Sequence, residues 1–314
     1  MDRIIGRFGD GRNGALVLVF GAVHGNEHAG VKALEEVFRL LFSQYEDNPG
    51  FVFNGNVVGI LGNLQAYEAR LRFMDKDLNR QWTADNIHRI RHIPRHELHG
   101  EDLEMVELLE AVHAELEEQK PETLVMLDLH TTSADGGVFC IPTDDAASLR
   151  LAKDLHAPVI LDLFEGITGT LLRYATDGHF EMAGFPKRTI GAAFEAGQHD
   201  DPQSVSRSVS AVMNCLRATG CIRPDALMSR SDAVLDQYSA RLPKVTRLRH
   251  VHHIRPGDEF LMRPGYLNFQ AVRKGEHLAD DVTGPVLSPE DGLILMPLYQ
   301  TKGSDGFFIV EPYS

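Results

Sequence analysis

The chain has 314 residues, of which 43% are hydrophobic and 24% are charged, and its formal net charge is -14. These proportions are ordinary for a folded globular protein and argue against a disordered chain. The excess of acidic residues argues against nucleic-acid binding, which needs clustered Lys and Arg to displace counterions from phosphates.

No apolar run approaches the roughly 18 residues that are needed to span a bilayer. The N-terminal segment also lacks a basic start followed by a long apolar stretch. We therefore expect a cytoplasmic protein that binds neither nucleic acid nor a membrane. The three cysteines match neither a CxxC metal clamp nor a disulfide framework, and we expect them to be buried free thiols.

Short apolar segments alternate with amphipathic helical patterns over roughly the first two thirds of the chain, a pattern typical of α/β proteins. The predicted strands cover residues 15–22, 57–61, 124–129, 158–163 and 189–194. The two clearest predicted helices cover residues 30–43 and 102–119, where apolar side chains recur at three- and four-residue steps.

The pattern changes after Cys221. From about residue 240, short strand-like segments are separated by glycines at positions 257, 265, 275, 284 and 292, a spacing typical of turns in a small all-β unit. We predict an α/β domain over residues 1–225 and a small β domain over residues 240–314 that caps or flanks the functional site.

Polar residues follow four of the predicted strands directly. His24 and Glu27 follow the first strand, Asn63 the second, His130 the third and Glu195 the fifth. In α/β sheets, ligands bind beyond the carboxyl ends of the strands, so we expect these residues to meet in one pocket.

His24 and Glu27 are three residues apart, so on a helical turn they share one face and could hold one metal ion, with His130 as the third ligand. Two histidines and one carboxylate leave one position of a tetrahedral zinc site open for water, as in catalytic sites. Asp128 could orient the His130 ring, or could cap a neighbouring backbone segment. The alternative for the His24–Glu27 pair is a solvated helix face.

Four segments, in this order, resemble the succinylglutamate desuccinylase and aspartoacylase family of the zinc carboxypeptidase-like clan. They are "GAVHGNEHAG" at 21–30, "GNLQAYEARLRFMDKDLNRQW" at 62–82, "LDLHTT" at 127–132 and "FEAGQHD" at 194–200. The resemblance implies a mixed sheet flanked by helices with a small C-terminal all-β domain. It also implies one zinc ion (Zn2+) per chain at His24, Glu27 and His130, with Glu195 as the general base and acid. The alternative for Glu195 is a surface glutamate at a strand end.

The same resemblance implies roles for four further residues. Arg72 matches the arginine that polarises the scissile carbonyl, Asn79 and Arg80 match the pair that holds a substrate carboxylate, and Tyr299 lies near a substrate-contacting tyrosine. Arginine suits these tasks because its planar fork donates in parallel to carboxylate oxygens.

Two observations leave alternatives open. Arg72 and Arg80 could instead pair with Asp75 and Asp77 on a surface loop. The aspartoacylase branch of the family has a further arginine about ten residues before its catalytic glutamate, whereas this chain has Phe185 there, with Lys187 and Arg188 out of register. The sequence therefore leaves open whether the site selects an acidic amino acid.

The sequence thus predicts a zinc-dependent amidohydrolase that cleaves a small-molecule N-acyl amino acid to a carboxylate and a free amine; homo-oligomerisation is left open. One rival is a carboxypeptidase with the same metal chemistry and a wider groove for peptides. The other is a non-catalytic metal-binding protein of the same fold. That rival would require a missing base or ligand, and none is missing.

Overall fold

In the computed structural model, residues 2–9, 14–181, 184–224 and 230–313 are described. The strands within these residues are β1 Ile4–Gly9, β2 Leu16–Gly21, β3 Asn56–Leu61, β4 Thr123–Thr132, β5 Phe139–Pro142, β6 Val159–Leu161, β7 Arg188–Gln198, β8 Val245–His253, β9 Leu261–Met262, β10 Gln270–Val272, β11 His277–Asp281, β12 Gly284–Leu287, β13 Gly292–Leu295 and β14 Asp305–Pro312. The helices are α1 Ala29–Asp47, α2 Leu64–Ala69, α3 Ala84–Arg91, α4 Gly100–Gln119, α5 Ala146–Asp154, α6 Leu171–Tyr174, α7 Gln203–Ala218 and α8 Arg230–Ser239. Short helical turns cover Leu78–Arg80, Arg95–Glu97, Leu163–Glu165 and Ala175–His179.

A large mixed sheet forms the centre of the protein, in the order β1-β3-β2-β4-β7-β5-β6-β8-β14-β13-β10. The neighbours β3, β2, β4 and β7 run parallel, whereas β1 is antiparallel to β3 and β5 is antiparallel to β7. β5 pairs in parallel with its other neighbour, β6. A separate antiparallel sheet contains β12, β11 and β9. This architecture confirms the predicted fold class.

All five predicted strands are present, as β2, β3, β4, β6 and β7, and the two predicted helices are α1 and α4. β4 and β7 continue past their apolar segments because they remain paired beyond residue 129, with His130 opposite Glu195 and Thr132 opposite Gln198. β6 is shorter than predicted because Asp162 takes a left-handed conformation (φ 62°) and begins the turn Leu163–Glu165.

Helices cover both faces of the sheet, which is why β2 is buried along its whole length. On one face, α1 places Leu34, Val37 and Leu41 against Val17 and Val19 of β2, together with side chains from α7. On the other face, α4 contributes the apolar side chains Met105, Leu108, Val112 and Leu116 to a second cluster. The helical periodicity in the sequence predicted the buried face of α1. In α4 the buried face is shifted toward Met105 and Leu108, while Leu103 and Val106, which share the predicted period, are only partly buried.

The C-terminal strands are connected to the central sheet. β8 pairs in parallel with β6, and β14, β13 and β10 extend the sheet from there. Gly257, Gly265, Gly275 and Gly284 have φ values of 92°, 97°, 83° and 116°, as expected of turn glycines. The division into domains over 1–225 and 240–314 stays a prediction, and residue 225 itself lies outside the described residues.

Cys140, Cys215 and Cys221 are buried free thiols, which confirms the prediction for the cysteines. No helix among the described residues is long and apolar enough to cross a membrane.

Candidate active site

The ends of β2, β4 and β7 lie side by side and carry most of the predicted site residues. His24 and Glu27 lie in the segment between β2 and α1, and His130 in β4 lies directly opposite Glu195 in β7. These four side chains line one cavity together with Arg72, Asn79 and Arg80. Parallel pairing of the strands is what brings residues about 170 positions apart to the same edge.

Glu27 lies between the two histidine rings. Its Oε1 atom is 2.8 Å from His24 Nδ1, and its Oε2 atom is 2.9 Å from His130 Nδ1. One ligand atom from each residue lies within 4.8 Å of the others, and all three side chains are buried. Burial works to raise the pKa of Glu27, but the two histidines outweigh it and hold this pKa well below its usual range. Two imidazole nitrogens and an ionised carboxylate fit the donor set of zinc.

A second carboxylate supports each histidine from behind. Asp77 Oδ1 is 3.1 Å from His24 Nε2, and Asp128 Oδ2 is 2.8 Å from His130 Nε2. Such carboxylate–imidazole contacts orient the rings, which leaves Nδ1 of each ring to face Glu27. The contact of Asp128 agrees with the orienting role predicted for it. The role of Asp77 was missed, because its loop carries no periodic pattern that would place it.

The loop that contains Arg72 and Asp77 folds over the two predicted ligands His24 and Glu27. Arg72 donates to Asp77 Oδ2 at 3.1 Å and lies 3.4 Å from Glu27 Oε1, and its side chain is only 13% exposed. The pairing of Arg72 with an aspartate, expected as the surface alternative, therefore exists but lies inside the cavity wall. Gly25 permits this arrangement, since a Cβ atom there would lie 2.2 Å from the backbone of Ala66.

Asn79 and Arg80 face the cavity from the turn Leu78–Arg80. Asn79 Oδ1 accepts a hydrogen bond from the backbone N–H of Leu171 at 3.0 Å, and its Nδ2 atom is 3.5 Å from His130 Nε2. Arg80 donates to Asp305 Oδ2 at 2.7 Å, so its partner is neither Asp75 nor Asp77. Asp305 comes from β14, and no pattern in the sequence would have joined the two residues.

Glu195 is 7% exposed, and its Oε2 atom is buried without a hydrogen-bond partner among the described residues. Burial raises the pKa of Glu195 to about 8, and the negative charge of Glu27 adds to the shift. A carboxyl group with such a pKa can both take up and release a proton near neutral pH.

Asn63 does not line the cavity, in contrast to the prediction from its place after β3. Its Nδ2 atom donates to Glu101 Oε1 at 2.9 Å. Glu101, which is fully buried, also accepts from the backbone N–H groups of Met74 (2.7 Å), Asp75 (2.9 Å) and Lys76 (3.1 Å). Asn63 and Glu101 therefore anchor the loop that carries Arg72 and Asp77.

Tyr299 lies outside the cavity lining as well. Its hydroxyl accepts from the backbone N–H of Tyr266 and donates to the carbonyl of Arg263, both at 2.8 Å. The next residue, Gln300, lines the cavity instead and accepts from Asn26 Nδ2 at 3.0 Å. Of these two neighbours Gln300 is the one that lines the cavity, and the substrate contact predicted for Tyr299 stays a prediction.

The cations near Phe185 are remote from Glu195. Arg188 begins β7 opposite Thr123, at the far end of the strand from Glu195. Lys187 pairs with Glu122 at the same end, at 2.7 Å. Neither cation lines the cavity.

Comparison with known proteins gives concordant matches. The pattern of the succinylglutamate desuccinylase/aspartoacylase catalytic domain matches residues 13–185. A probable aspartoacylase from a Nostoc species is 30% identical over 125 residues, which is 40% of this chain and only 38% of that protein's length. The structure of succinylglutamate desuccinylase from Chromobacterium violaceum has a TM-score of 0.60 at 18% identity, covering 97% of this chain and 86% of that one. Murine aminoacylase 3 has a TM-score of 0.56 at 19% identity, with 96% of each chain covered. At these identities the two structures show a shared fold.

Proposed function

Because the chain belongs to the succinylglutamate desuccinylase/aspartoacylase family, we propose that it is a zinc-dependent hydrolase that cleaves the amide bond of an N-acyl amino acid. The products are a carboxylate and a free amine. The observation that carries this proposal is the convergence of His24, Glu27 and His130 beside the buried Glu195 in one cavity.

In this proposal His24, Glu27 and His130 hold the metal. A bound zinc ion would polarise the scissile carbonyl and lower the pKa of a water molecule to near 7. Asp77 and Asp128 keep the two imidazole rings oriented toward Glu27, and losing such support typically weakens metal binding.

Glu195 moves the proton. Its carboxylate accepts a proton from the attacking water and later donates it to the leaving amine. The raised pKa suits both directions of transfer, and Oε2 has no competing hydrogen bond among the described residues.

Arg72 would bind the oxygen of the scissile carbonyl, and Arg80 would bind the α-carboxylate of the substrate. Arg72, held in place by Asp77, would stabilise the oxyanion that develops at the scissile carbonyl. Arg80, with Asn79 beside it, would hold the α-carboxylate. The two guanidinium contacts of Arg80, to Asp305 and to the carbonyl of Asn79, leave further N–H donors of its fork for a carboxylate. Gln300, which lines the cavity beside Tyr299, would add a peripheral contact to the substrate.

The cavity favours a small substrate over a peptide. Its volume is about 110 Å³, and residues of the C-terminal segment, including Ser304 and Asp305, form part of its wall. A carboxypeptidase needs an open groove for the chain that precedes the scissile bond. A non-catalytic role is disfavoured because the three ligand residues and Glu195 are all in place.

The direct test is hydrolysis by metal-free protein, by protein reloaded with one equivalent of Zn2+, and by reloaded protein treated with a chelator. The substrates are a panel of N-acetyl amino acids and a panel of dipeptides. We expect zinc-dependent release of free amine from the N-acetyl amino acids. Hydrolysis confined to dipeptides would instead support the carboxypeptidase, and no hydrolysis of either panel would refute the proposal.

A further inference from the structure

We propose that the cavity selects N-acyl amino acids that carry a single carboxylate and are otherwise uncharged and apolar, and that it disfavours a second carboxylate. This inference rests on the proposed function, since it concerns the substrate of the same site. It follows from the apolar wall of the cavity and from the way its charges are already paired.

Part of the cavity wall is apolar. It is formed by side chains from β5, from the turn Leu163–Glu165 and the residues after it, and from β14. They are Ile141, Leu163, Phe164, Ile167 and Phe308, and each is at most 9% exposed. An ionised carboxylate placed against this wall would lose its hydration without gaining a hydrogen bond, whereas an alkyl or aryl group would be stabilised there.

Positive charge in the cavity is limited and already engaged. Apart from the two predicted ligand histidines, Arg72 and Arg80 are the cationic side chains that line it within the described part of the chain. Arg72 is paired with Asp77 and lies 3.4 Å from the predicted ligand Glu27, where it would stabilise the oxyanion. Arg80 is also paired, with Asp305, but keeps N–H donors for the α-carboxylate. A substrate with a second carboxylate would find no further arginine or lysine in the described lining.

Asp305 adds a negative charge beside Arg80. Its side chain is 8% exposed and accepts from Arg80 at 2.7 Å, from Ser304 Oγ at 3.1 Å and from His253 Nδ1 at 2.8 Å. These three contacts hold the side chain of Asp305 in place beside Arg80. Arg80, Asp305 and a bound α-carboxylate together already carry a net negative charge, so a second substrate carboxylate nearby would be repelled without a cation to offset it.

The test compares matched substrates on the zinc-loaded full chain. N-acetyl-L-leucine and N-acetyl-L-methionine represent the neutral class, and N-acetyl-L-aspartate and N-acetyl-L-glutamate the acidic class. We expect kcat/KM to be at least about 10-fold higher for the neutral class. An equal or higher kcat/KM for the acidic class would overturn this inference, while the proposed function would stand.

A binding measurement decides the question independently of turnover. The zinc-loaded Glu195→Gln variant is titrated calorimetrically with the same four compounds, and we expect tighter binding of the neutral pair. Tighter binding of the acidic pair would contradict the inference even if no compound were hydrolysed. Absence of hydrolysis by wild type, by contrast, would count against the proposed function.

Asp305→Asn tests the repulsion directly, since asparagine keeps the size and still accepts from Arg80. We expect the ratio of acidic to neutral kcat/KM to rise by about 5-fold or more. The control is Asp144→Asn, an exposed carboxylate paired with Arg173 away from the cavity, which should leave the ratio unchanged. An unchanged ratio in Asp305→Asn would remove Asp305 from the account of selectivity.

Discussion

Glu101 offers the sharpest prediction about how the active-site loop is held. Its Oε1 atom accepts from Asn63 Nδ2 and from the N–H of Met74, and its Oε2 atom accepts from the N–H groups of Asp75 and Lys76. In Glu101→Gln the amide nitrogen cannot accept, so two of these four donors, whose hydrogen bonds are buried or partly buried, lose their acceptor. Each such loss costs about 1–3 kcal/mol, so we expect the free energy of unfolding to fall by about 2–6 kcal/mol.

The assay is urea denaturation at pH 7, with kcat/KM measured on the same preparations. The control is Glu118→Gln on the exposed face of the same helix, which should change stability by less than about 0.5 kcal/mol. Because the loop carries Arg72 and Asp77, Glu101→Gln should also lower kcat/KM, whereas the control should not. A stability change in Glu101→Gln as small as in the control would refute the anchoring role.

The stability difference between wild type and Glu101→Gln should depend on pH. Burial works to raise the pKa of Glu101, but the hydrogen bonds from Asn63 and the loop backbone outweigh it and lower this pKa below its usual value. The stabilisation is therefore complete above the unfolded-state pKa of about 4.3 and is lost as the pH falls through the folded-state pKa. The stability gap between wild type and Glu101→Gln should narrow in acid; a gap that widened below pH 4 would contradict this account.

Three further predictions concern the cavity. Asp77→Asn should weaken zinc binding by about 10–100-fold, because it removes the carboxylate that orients the His24 ring. A competition assay with a chromogenic chelator measures the zinc affinity, and an unchanged affinity would count against this role of Asp77. In metal-free protein, Glu195→Gln should be more stable than wild type at pH 8, and the difference in stability should disappear below about pH 4. The reason is that the folded-state pKa of Glu195 is raised to about 8. Ionisation of Glu195 therefore opposes folding at pH values above its unfolded-state pKa. Thermal unfolding across this range measures the effect, and a constant difference would argue against burial as its cause. For wild type, esterifying the α-carboxylate of the substrate should reduce kcat/KM by about 2–5 kcal/mol in transition-state terms, and Arg80→Ala should erase most of that discrimination. Equal hydrolysis of free and esterified substrate by wild type would reduce Arg80 to a salt-bridge partner of Asp305.

The parts of the fold that the sequence predicted are those with a local physical signal. β2 and β4 are continuous apolar segments because both faces of the sheet are covered, and α1 and α4 show the helical period because each buries one face. The residues His24, Glu27, His130 and Glu195 could be placed in one pocket because parallel strands end at a common edge.

The residues that were missed depend on contacts between distant segments. Asp305 meets Arg80 across 225 positions, and Glu101 meets Met74 across 27, and neither pairing leaves a periodic trace in the sequence. Tyr299 and Gln300 illustrate a second limit. Neighbouring side chains of an irregular loop point in different directions, so a loose motif match does not decide which of two adjacent side chains faces the cavity.

The absence of Asn63 from the cavity lining has a similar cause. Its position after β3 resembles those of the cavity residues, but its side chain caps α2 by accepting from the N–H of Ala66 and turns toward Glu101. Strand-end placement therefore identified an edge of the sheet, while the hydrogen-bond partners decided which side chains face the cavity.

The proposed mechanism requires that His24, Glu27 and His130 bind a metal on which hydrolysis depends, and that Glu195 transfers the proton. It is tested most directly by measuring metal content and N-acyl amino acid hydrolysis side by side in wild type and Glu195→Gln. We expect one zinc per chain in both proteins, and hydrolysis that is slower by at least about 100-fold in the variant. Near wild-type hydrolysis by zinc-loaded Glu195→Gln, or full wild-type hydrolysis without metal, would contradict it.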